Sequence, residues 1–75
     1  MTLAEIQEAR RGLRKPGSHA EIVLGIGPVA VTKTAMLALL REVETLVRDG
    51  HDAVWNYTLS VDRNGHVVIW SNDVS

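Results

Sequence analysis

The residue types that most often carry acid–base or metal chemistry are few and scattered in this sequence. The three histidines, His19, His51 and His66, lie far apart and show no His-x-x-x-His or similar metal-ligand spacing. The chain has no cysteine, which removes thiolate zinc sites, disulfides and cysteine nucleophiles. Histidines at such positions are typical polar loop residues. We therefore predict no catalytic residue, no metal ligand and no cofactor, and we expect a protein that is not an enzyme.

Residues 27–34, GPVAVTKT, come close to the pattern of a phosphate-binding loop, because they follow an apolar run and open a helix. Thr32 stands where the second glycine of that pattern belongs. The glycine allows consecutive backbone N–H groups to wrap the phosphates, so its absence argues against nucleotide binding. We interpret the segment as a strand followed by the N-cap of a helix.

Half of the basic residues lie close together near the N-terminus: Arg10, Arg11, Arg14 and Lys15. On a helix these side chains are neighbours that could straddle a phosphate backbone. The competing interpretation is a solvated helix end whose positive charge complements the helix dipole. No aromatic residue lies among them to stack on nucleic-acid bases. Nucleic-acid binding through these four residues is therefore the alternative hypothesis and not the leading one.

The aromatic residues Trp55, Tyr57 and Trp70 all belong to the C-terminal third of the chain. As core residues they would form the packed face of a sheet, and as surface residues they would anchor a protein partner. Leu37 is a further candidate, because it falls outside the apolar arc of the second predicted helix. We predict these four residues as the protein-interface candidates.

Length and composition indicate one small domain over residues 1–75, with a frayed end at 71–75. The apolar share of 45% is ordinary for a globular domain. The net charge of −1 produces no overall electrostatic attraction to nucleic acid or to an anionic membrane. No apolar run is long enough for a bilayer, and no signal peptide is visible. We expect a cytoplasmic protein without membrane contact.

The first helix is predicted over about 3–14. Thr2 and Glu5 have the capping-box spacing, so that each side chain satisfies the other's backbone N–H. Pro16 and the glycine after it stop the helix.

Residues 20–31 are β-branched and almost continuously apolar, which indicates strand structure buried on both faces. Two interpretations remain open: a tight hairpin with strands near 21–25 and 28–31, or one longer strand with a bulge. We favour the hairpin because Pro28 has no N–H to donate to a central ladder.

The second helix is the most clearly marked element. Thr32 is its predicted N-cap, Val31 and Met36 form a hydrophobic staple, and Gly50 ends the helix as a left-handed residue. An apolar arc of roughly 140° predicts the face that packs on the sheet. Its members are Ala35, Met36, Leu39, Leu40, Val43, Leu46 and Val47.

Residues 55–61 alternate between apolar and polar, as a half-buried antiparallel strand does. Residues 62–65, Asp-Arg-Asn-Gly, predict a turn, and residues 66–70 return as a second strand.

Two registers of this C-terminal hairpin remain open. A two-residue loop pairs Val61 with Val68. A type I turn closed by a Gly65 bulge pairs Val61 with Val67 instead and moves Trp70 to the other face of the sheet. We favour the two-residue loop, because it places both tryptophans on the core side.

The resulting order is α-β-β-α-β-β. The fold class that we predict is a small two-layer α+β domain, with an antiparallel sheet and two helices packed on one face. The helix–hairpin–helix order across residues 2–48 is similar to that of small phage head-completion proteins of the gpW type. The Glu8-Ala9-Arg10-x-x-Leu13 stretch resembles the opening of Phd-type antitoxins. Neither resemblance covers the C-terminal hairpin, and no functional residue is carried over from either family.

The sequence predicts a non-catalytic protein-interaction module, such as a small adaptor, assembly factor or inhibitor of the sort that phages and mobile elements encode. This hypothesis depends on the missing catalytic set, the near-neutral charge and the small size. Self-association would compensate for a small core, so a homo-oligomer is one form it could take. The alternative is a nucleic-acid-binding regulator that uses the basic end of the first helix.

Overall fold

A computed structural model describes residues 1–23, 25 and 27–71 of the chain. They form a small α+β domain with two helices and a four-stranded sheet. The elements in chain order are α1 (Leu3–Leu13), β1 (His19–Val23), β2 (Pro28–Val31), α2 (Lys33–Arg48), a 3-10 helix (Asp52–Asn56), β3 (Tyr57–Val61) and β4 (His66–Ser71). Ser71, at the predicted frayed end, is the last residue of β4, and residues 72–75 lie outside the described residues.

The four strands form a mixed sheet in the order β2-β1-β4-β3. The two hairpins are antiparallel, but β1 and β4 are parallel neighbours, with His19 opposite His66 and Val23 opposite Trp70. The prediction of a wholly antiparallel sheet is therefore wrong at its central pair. A turn specifies the pairing within each hairpin locally, whereas the way in which two hairpins join is decided by tertiary packing.

The capping box at the start of α1 is confirmed. The Thr2 hydroxyl accepts from the Glu5 N–H at 3.2 Å, and the Glu5 carboxylate accepts from the Thr2 N–H at 2.9 Å. These bonds satisfy two backbone donors that a helix start leaves without an intrahelical partner. The helix ends at Leu13, one residue before the predicted end.

The second helix begins and ends as predicted. The Thr32 hydroxyl accepts from the Ala35 N–H at 3.0 Å, and Gly50 lies in the left-handed region with φ 66°. The predicted apolar arc supplies the buried residues Met36, Leu40 and Val43, although Ala35 in its first turn is exposed.

The predicted hairpin at 20–31 is confirmed, with Ala20 opposite Val31 and Val23 opposite Pro28. Its strands are not buried on both faces, because β2 is an edge strand that is largely exposed. Proline is tolerated there, since one side of an edge strand needs no hydrogen-bond donor. Residues 24 and 26, between the two strands, lie outside the described residues.

The favoured register of the C-terminal hairpin is wrong, and the alternative is the observed one. Val61 lies opposite Val67, and the turn closes through a bond from the Asp62 N–H to the His66 carbonyl at 3.1 Å. Gly65 adopts φ 82°, the left-handed conformation that a turn closed by a glycine bulge requires. The register change by one residue turns Trp70 away from the core.

The core lies between the helices and one face of the sheet. Both helices contribute to a single buried cluster, and the strands contribute the alternate residues that face them. The cluster consists of Ile6, Ala9, Leu13, Ala20, Met36, Leu40, Val43, Val54, Leu59, Val67 and Ile69. Within the described residues, no helix is both long and apolar enough to cross a membrane.

Candidate functional site

The other face of the sheet carries the residues that alternate with the core positions, and within the described ranges neither helix covers it. We call this surface the open face. Its central strands contribute His19, Glu21, Val23, His66, Val68 and Trp70, and its outer strands contribute Pro28, Ala30, Thr58 and Ser60. On the two central strands, the residues of this face are polar at one end and apolar at the other.

At the polar end, two histidines and a glutamate meet. Parallel pairing of β1 and β4 places His19 beside His66, and their rings stack with centroids 4.0 Å apart and an interplanar angle of 22°. His66 Nε2 contacts Glu21 Oε1 directly. The nearest nitrogen or oxygen atoms of the three side chains all lie within 4.8 Å of one another.

Asp62 holds the other side of His66. Its Oδ1 accepts from the backbone N–H groups of Asn64 at 2.8 Å and His66 at 3.0 Å, while its Oδ2 lies 4.0 Å from His66 Nδ1. The bond from the His66 N–H is the main cause that lowers the pKa of the Asp62 carboxyl. The His66 ring therefore lies between two carboxylates, and this negatively charged setting suits a bound cation.

The apolar end of the open face is centred on Trp70. This side chain is 36% exposed and lies between Val23 of β1 and Thr58 of β3 in the strand pairing. Val68, one step along β4 on the same face, is nearly covered by its neighbours although it lies outside the main core cluster. Trp70 and Val23 thus form an apolar surface on the two central strands of the sheet.

The four predicted interface residues do not form one surface. Trp70 lies on the open face, whereas Tyr57 faces the helices and packs against the core. Leu37, 41% exposed, lies on the outer side of α2. The two tryptophans are not on the core side as predicted: Trp55 is 74% exposed and belongs to the 3-10 helix rather than to a strand.

Local contacts explain the 3-10 helix, although the alternating pattern of residues 55–61 predicted a strand that already included Trp55. His51 caps it, because its Nδ1 accepts from the Ala53 N–H at 3.0 Å. Val54 is buried in the core, and this contact holds the short helix against α2 and β3. Trp55 consequently points outward before β3 begins at Tyr57.

Of the four residues predicted to bind nucleic acid, Arg10 is set apart from the other three by an ion pair with Glu44. Arg10 donates to Glu44 Oε1 at 2.7 Å, and Arg48 donates to Glu44 Oε2 at 3.1 Å. These bonds lower the pKa of the Glu44 carboxyl to about 2 and raise that of Arg10. Arg10 is thereby engaged between the helices, while Arg14 remains exposed at the end of α1.

The other two basic candidates, Arg11 and Lys15, line a groove of about 450 Å³. The turn adds a third cation, since Lys15 Nζ donates to the Arg63 carbonyl at 2.8 Å and Arg63 also lines the groove. Glu8 and Asp62 line the same groove. Its mixed charge makes it a weaker phosphate site than the run of basic residues in the sequence indicates.

Sequence reasoning missed the grouping of His19, Glu21 and His66. Part of the signal was readable, since alternation on a strand places His19 and Glu21 on one face. The rest was not, because His66 joins them only through the parallel pairing of β1 with β4 and the observed hairpin register.

Comparison with known proteins gives no relative: no family model matches the chain, and neither the curated proteins nor the solved structures contain a match. The resemblances to gpW-type and Phd-type proteins therefore gain no support.

Proposed function

We propose that this protein is a non-catalytic interaction module that binds a protein partner through the apolar end of its open face. The observation that supports this best is the position of Trp70. It lies on a sheet face that neither described helix covers, and it is flanked by apolar Val23. Tryptophan is among the residues most enriched at the energetically dominant centres of protein interfaces.

The geometry favours a protein partner over a small molecule. The open face is a sheet surface, whereas small-molecule sites are concave pockets that enclose most of the ligand. An aromatic side chain beside aliphatic ones is suited to the apolar centre of an interface, and the polar groups farther along the strands are suited to its rim. The partner that fits this chemistry is a protein that presents apolar side chains to Trp70.

The alternative, nucleic-acid binding, has one observation in its favour. The turn brings Arg63 to the Lys15 side chain, which extends the basic cluster beyond the first helix. Against it, Arg10 is engaged by Glu44, and the groove between Arg11 and Arg63 also contains carboxylates. We therefore retain the protein-interaction hypothesis as the leading one.

The experiment that tests it is affinity capture from the source cell lysate after nuclease treatment, with two matched variants. Trp70→Ser removes the apolar anchor on the open face, and Leu37→Ser removes an exposed leucine on the outer side of α2. We expect a captured protein to be lost with Trp70→Ser and kept with Leu37→Ser. Capture that depends on Leu37 and not on Trp70 would place the interface on the helices and contradict the proposal.

A further inference from the structure

We propose that His19, Glu21 and His66 form a binding site for a divalent transition-metal ion, with Zn²⁺ as the best fit. The site lies at the polar end of the open face, and it does not depend on the proposed protein partner. Two imidazoles and one carboxylate are a donor set that zinc accepts, commonly with a fourth position left to water or another ligand.

The distances among the three side chains suit a single ion. Donor atoms bound to one tetrahedral zinc at about 2.0–2.2 Å lie roughly 3.3–3.6 Å apart. The donors here lie within 4.8 Å of one another. His66 Nε2 and Glu21 Oε1 are already in direct contact, and the exposed His19 ring, which stacks on that of His66, would rotate out of the stack to direct a nitrogen at the same ion. The ion would replace the direct contact between His66 Nε2 and Glu21 Oε1.

All three candidate ligands lie on strands and not on loops. His19 and Glu21 are on β1 and His66 is on β4, the two central strands of the sheet. The His19 N–H also donates to the Gly65 carbonyl at 3.2 Å, which joins the start of β1 to the turn before β4. Donors on paired central strands are held more precisely than donors on loops.

Asp62 places a second carboxylate, besides that of Glu21, near the His66 ring. Ligand histidines usually direct their other ring nitrogen to a carboxylate or a carbonyl, which fixes the orientation of the ring. Asp62 Oδ2 lies 4.0 Å from His66 Nδ1, on the side of the ring away from Glu21. Its other oxygen is fixed by two backbone N–H groups. At 4.0 Å the two side chains are in electrostatic contact and not hydrogen-bonded, so Asp62 acts on His66 mainly by accepting from its backbone N–H.

The donor set also predicts which ions bind. Imidazole suits zinc, copper and nickel, whereas calcium and magnesium prefer sites made of oxygen ligands. Zn²⁺ binding without Ca²⁺ or Mg²⁺ binding is the expected selectivity. The competing account is a metal-free ion pair between His66 and Glu21, with His19 stacked on the histidine ring.

The test is calorimetric titration of ZnCl₂ into the purified chain with its affinity tag removed. We expect one Zn²⁺ per chain, and no heat of binding from CaCl₂ or MgCl₂. His19→Ala changes an exposed side chain and is expected to weaken Zn²⁺ affinity by at least about tenfold, since even residues that only orient a ligand are worth 10–100-fold. Asp62→Asn removes a nearby negative charge and is expected to weaken it less than His19→Ala does.

His51→Ala is the matched control, because His51 is an exposed histidine at the N-cap of the 3-10 helix and outside the cluster. It should leave Zn²⁺ affinity unchanged, and circular dichroism of each variant establishes that it is folded. Absence of Zn²⁺ binding to the wild-type chain would overturn the proposal, as would equal affinities of wild type and His19→Ala. Trp70→Ser, which tests the protein interface, should not change Zn²⁺ affinity, so the two proposals can fail separately.

Discussion

Arg10 of α1 donates a hydrogen bond to Glu44 of α2 at 2.7 Å, and this ion pair joins the two helices beside the core. Arg48, one turn farther along α2, binds the second oxygen of the same carboxylate at 3.1 Å. A carboxylate that accepts from two guanidinium groups is stabilised in its charged form. The ion pair therefore occupies Arg10, which the sequence predicted as a nucleic-acid contact, and it makes the stability of the fold depend on pH.

Stability should fall in acid as Glu44 is protonated. Its pKa is about 2 in the folded chain and 4.5 ordinarily, so the stabilisation is fully present above pH 4.5 and is lost as the pH falls toward 2. We expect Glu44→Gln to have a lower melting temperature than wild type at pH 6, and the difference to disappear between pH 4.5 and pH 2. Circular dichroism melts measure this. Glu42→Gln, an exposed change on the same helix, is the control, and an equal pH profile for both variants would contradict the account.

Substituting Gly65 should destabilise the fold strongly. A Cβ on Gly65 would lie 2.6 Å from the Gly12 carbonyl oxygen and 2.8 Å from the Ser18 Cβ, and the residue has φ 82°. We expect Gly65→Ala to lower the free energy of unfolding by at least about 2 kcal/mol, since the left-handed conformation alone costs about 1–2 kcal/mol for a residue with a side chain.

Gly17→Ala is the control for this prediction. Gly17 has φ 75°, but a Cβ there would meet no heavy atom within 4 Å. Gly17→Ala should therefore lower the free energy of unfolding only by the cost of placing a side chain in the left-handed conformation, about 1–2 kcal/mol. Urea denaturation compares the two variants, and equal losses would show that the close approach of the turn to α1 is unimportant.

The features that the sequence predicts well are local. The hydroxyls of Thr2 and Thr32 indicate where the two helices begin, because each can accept from a backbone N–H of the first turn. Gly50 indicates where the second helix ends, because glycine readily adopts a positive φ. The turn at 62–65 is equally clear from its residue types. Each of these signals acts over a few residues, so no knowledge of the rest of the fold is needed to interpret it.

The features that decide the candidate site are not local. A shift of one residue in the C-terminal hairpin exchanges its faces, and the turn sequence was compatible with both registers. In the observed turn Gly65 packs closely against Gly12, but that contact is tertiary. The grouping of His66 with His19 further requires the parallel pairing, for which the sequence carries no local signal.

The observed register makes a prediction about β4. Ile69 is 1% exposed in the core, whereas Trp70 is 36% exposed on the open face. We expect Ile69→Ala to cost about 2–5 kcal/mol of unfolding free energy, as buried aliphatic truncations do. Trp70→Ala should cost less, although tryptophan is the larger side chain. Urea denaturation measures both, and a greater loss for Trp70→Ala would support the two-residue loop instead.

Nucleic-acid binding should be weak, because only part of the basic cluster is available. We expect no binding of single- or double-stranded oligonucleotides at physiological ionic strength by fluorescence anisotropy. The triple variant Arg11→Ala, Lys15→Ala and Arg63→Ala removes the basic groove residues, while Arg41→Ala removes an exposed charge on α2. Tight binding that falls steeply with salt and is lost only in the triple variant would establish the alternative function.

The most direct test of the central claim is photo-cross-linking in the source cells, with a photoreactive amino acid introduced at one position at a time. Positions 58 and 28 lie on the open face, opposite Trp70 and Val23 respectively, so Trp70 itself is kept, and positions 37 and 41 lie on the outer side of α2. If the apolar end of the open face binds a protein partner, one cross-linked species should form from positions 58 and 28 and not from positions 37 and 41. A species that forms from the α2 positions alone would contradict the account.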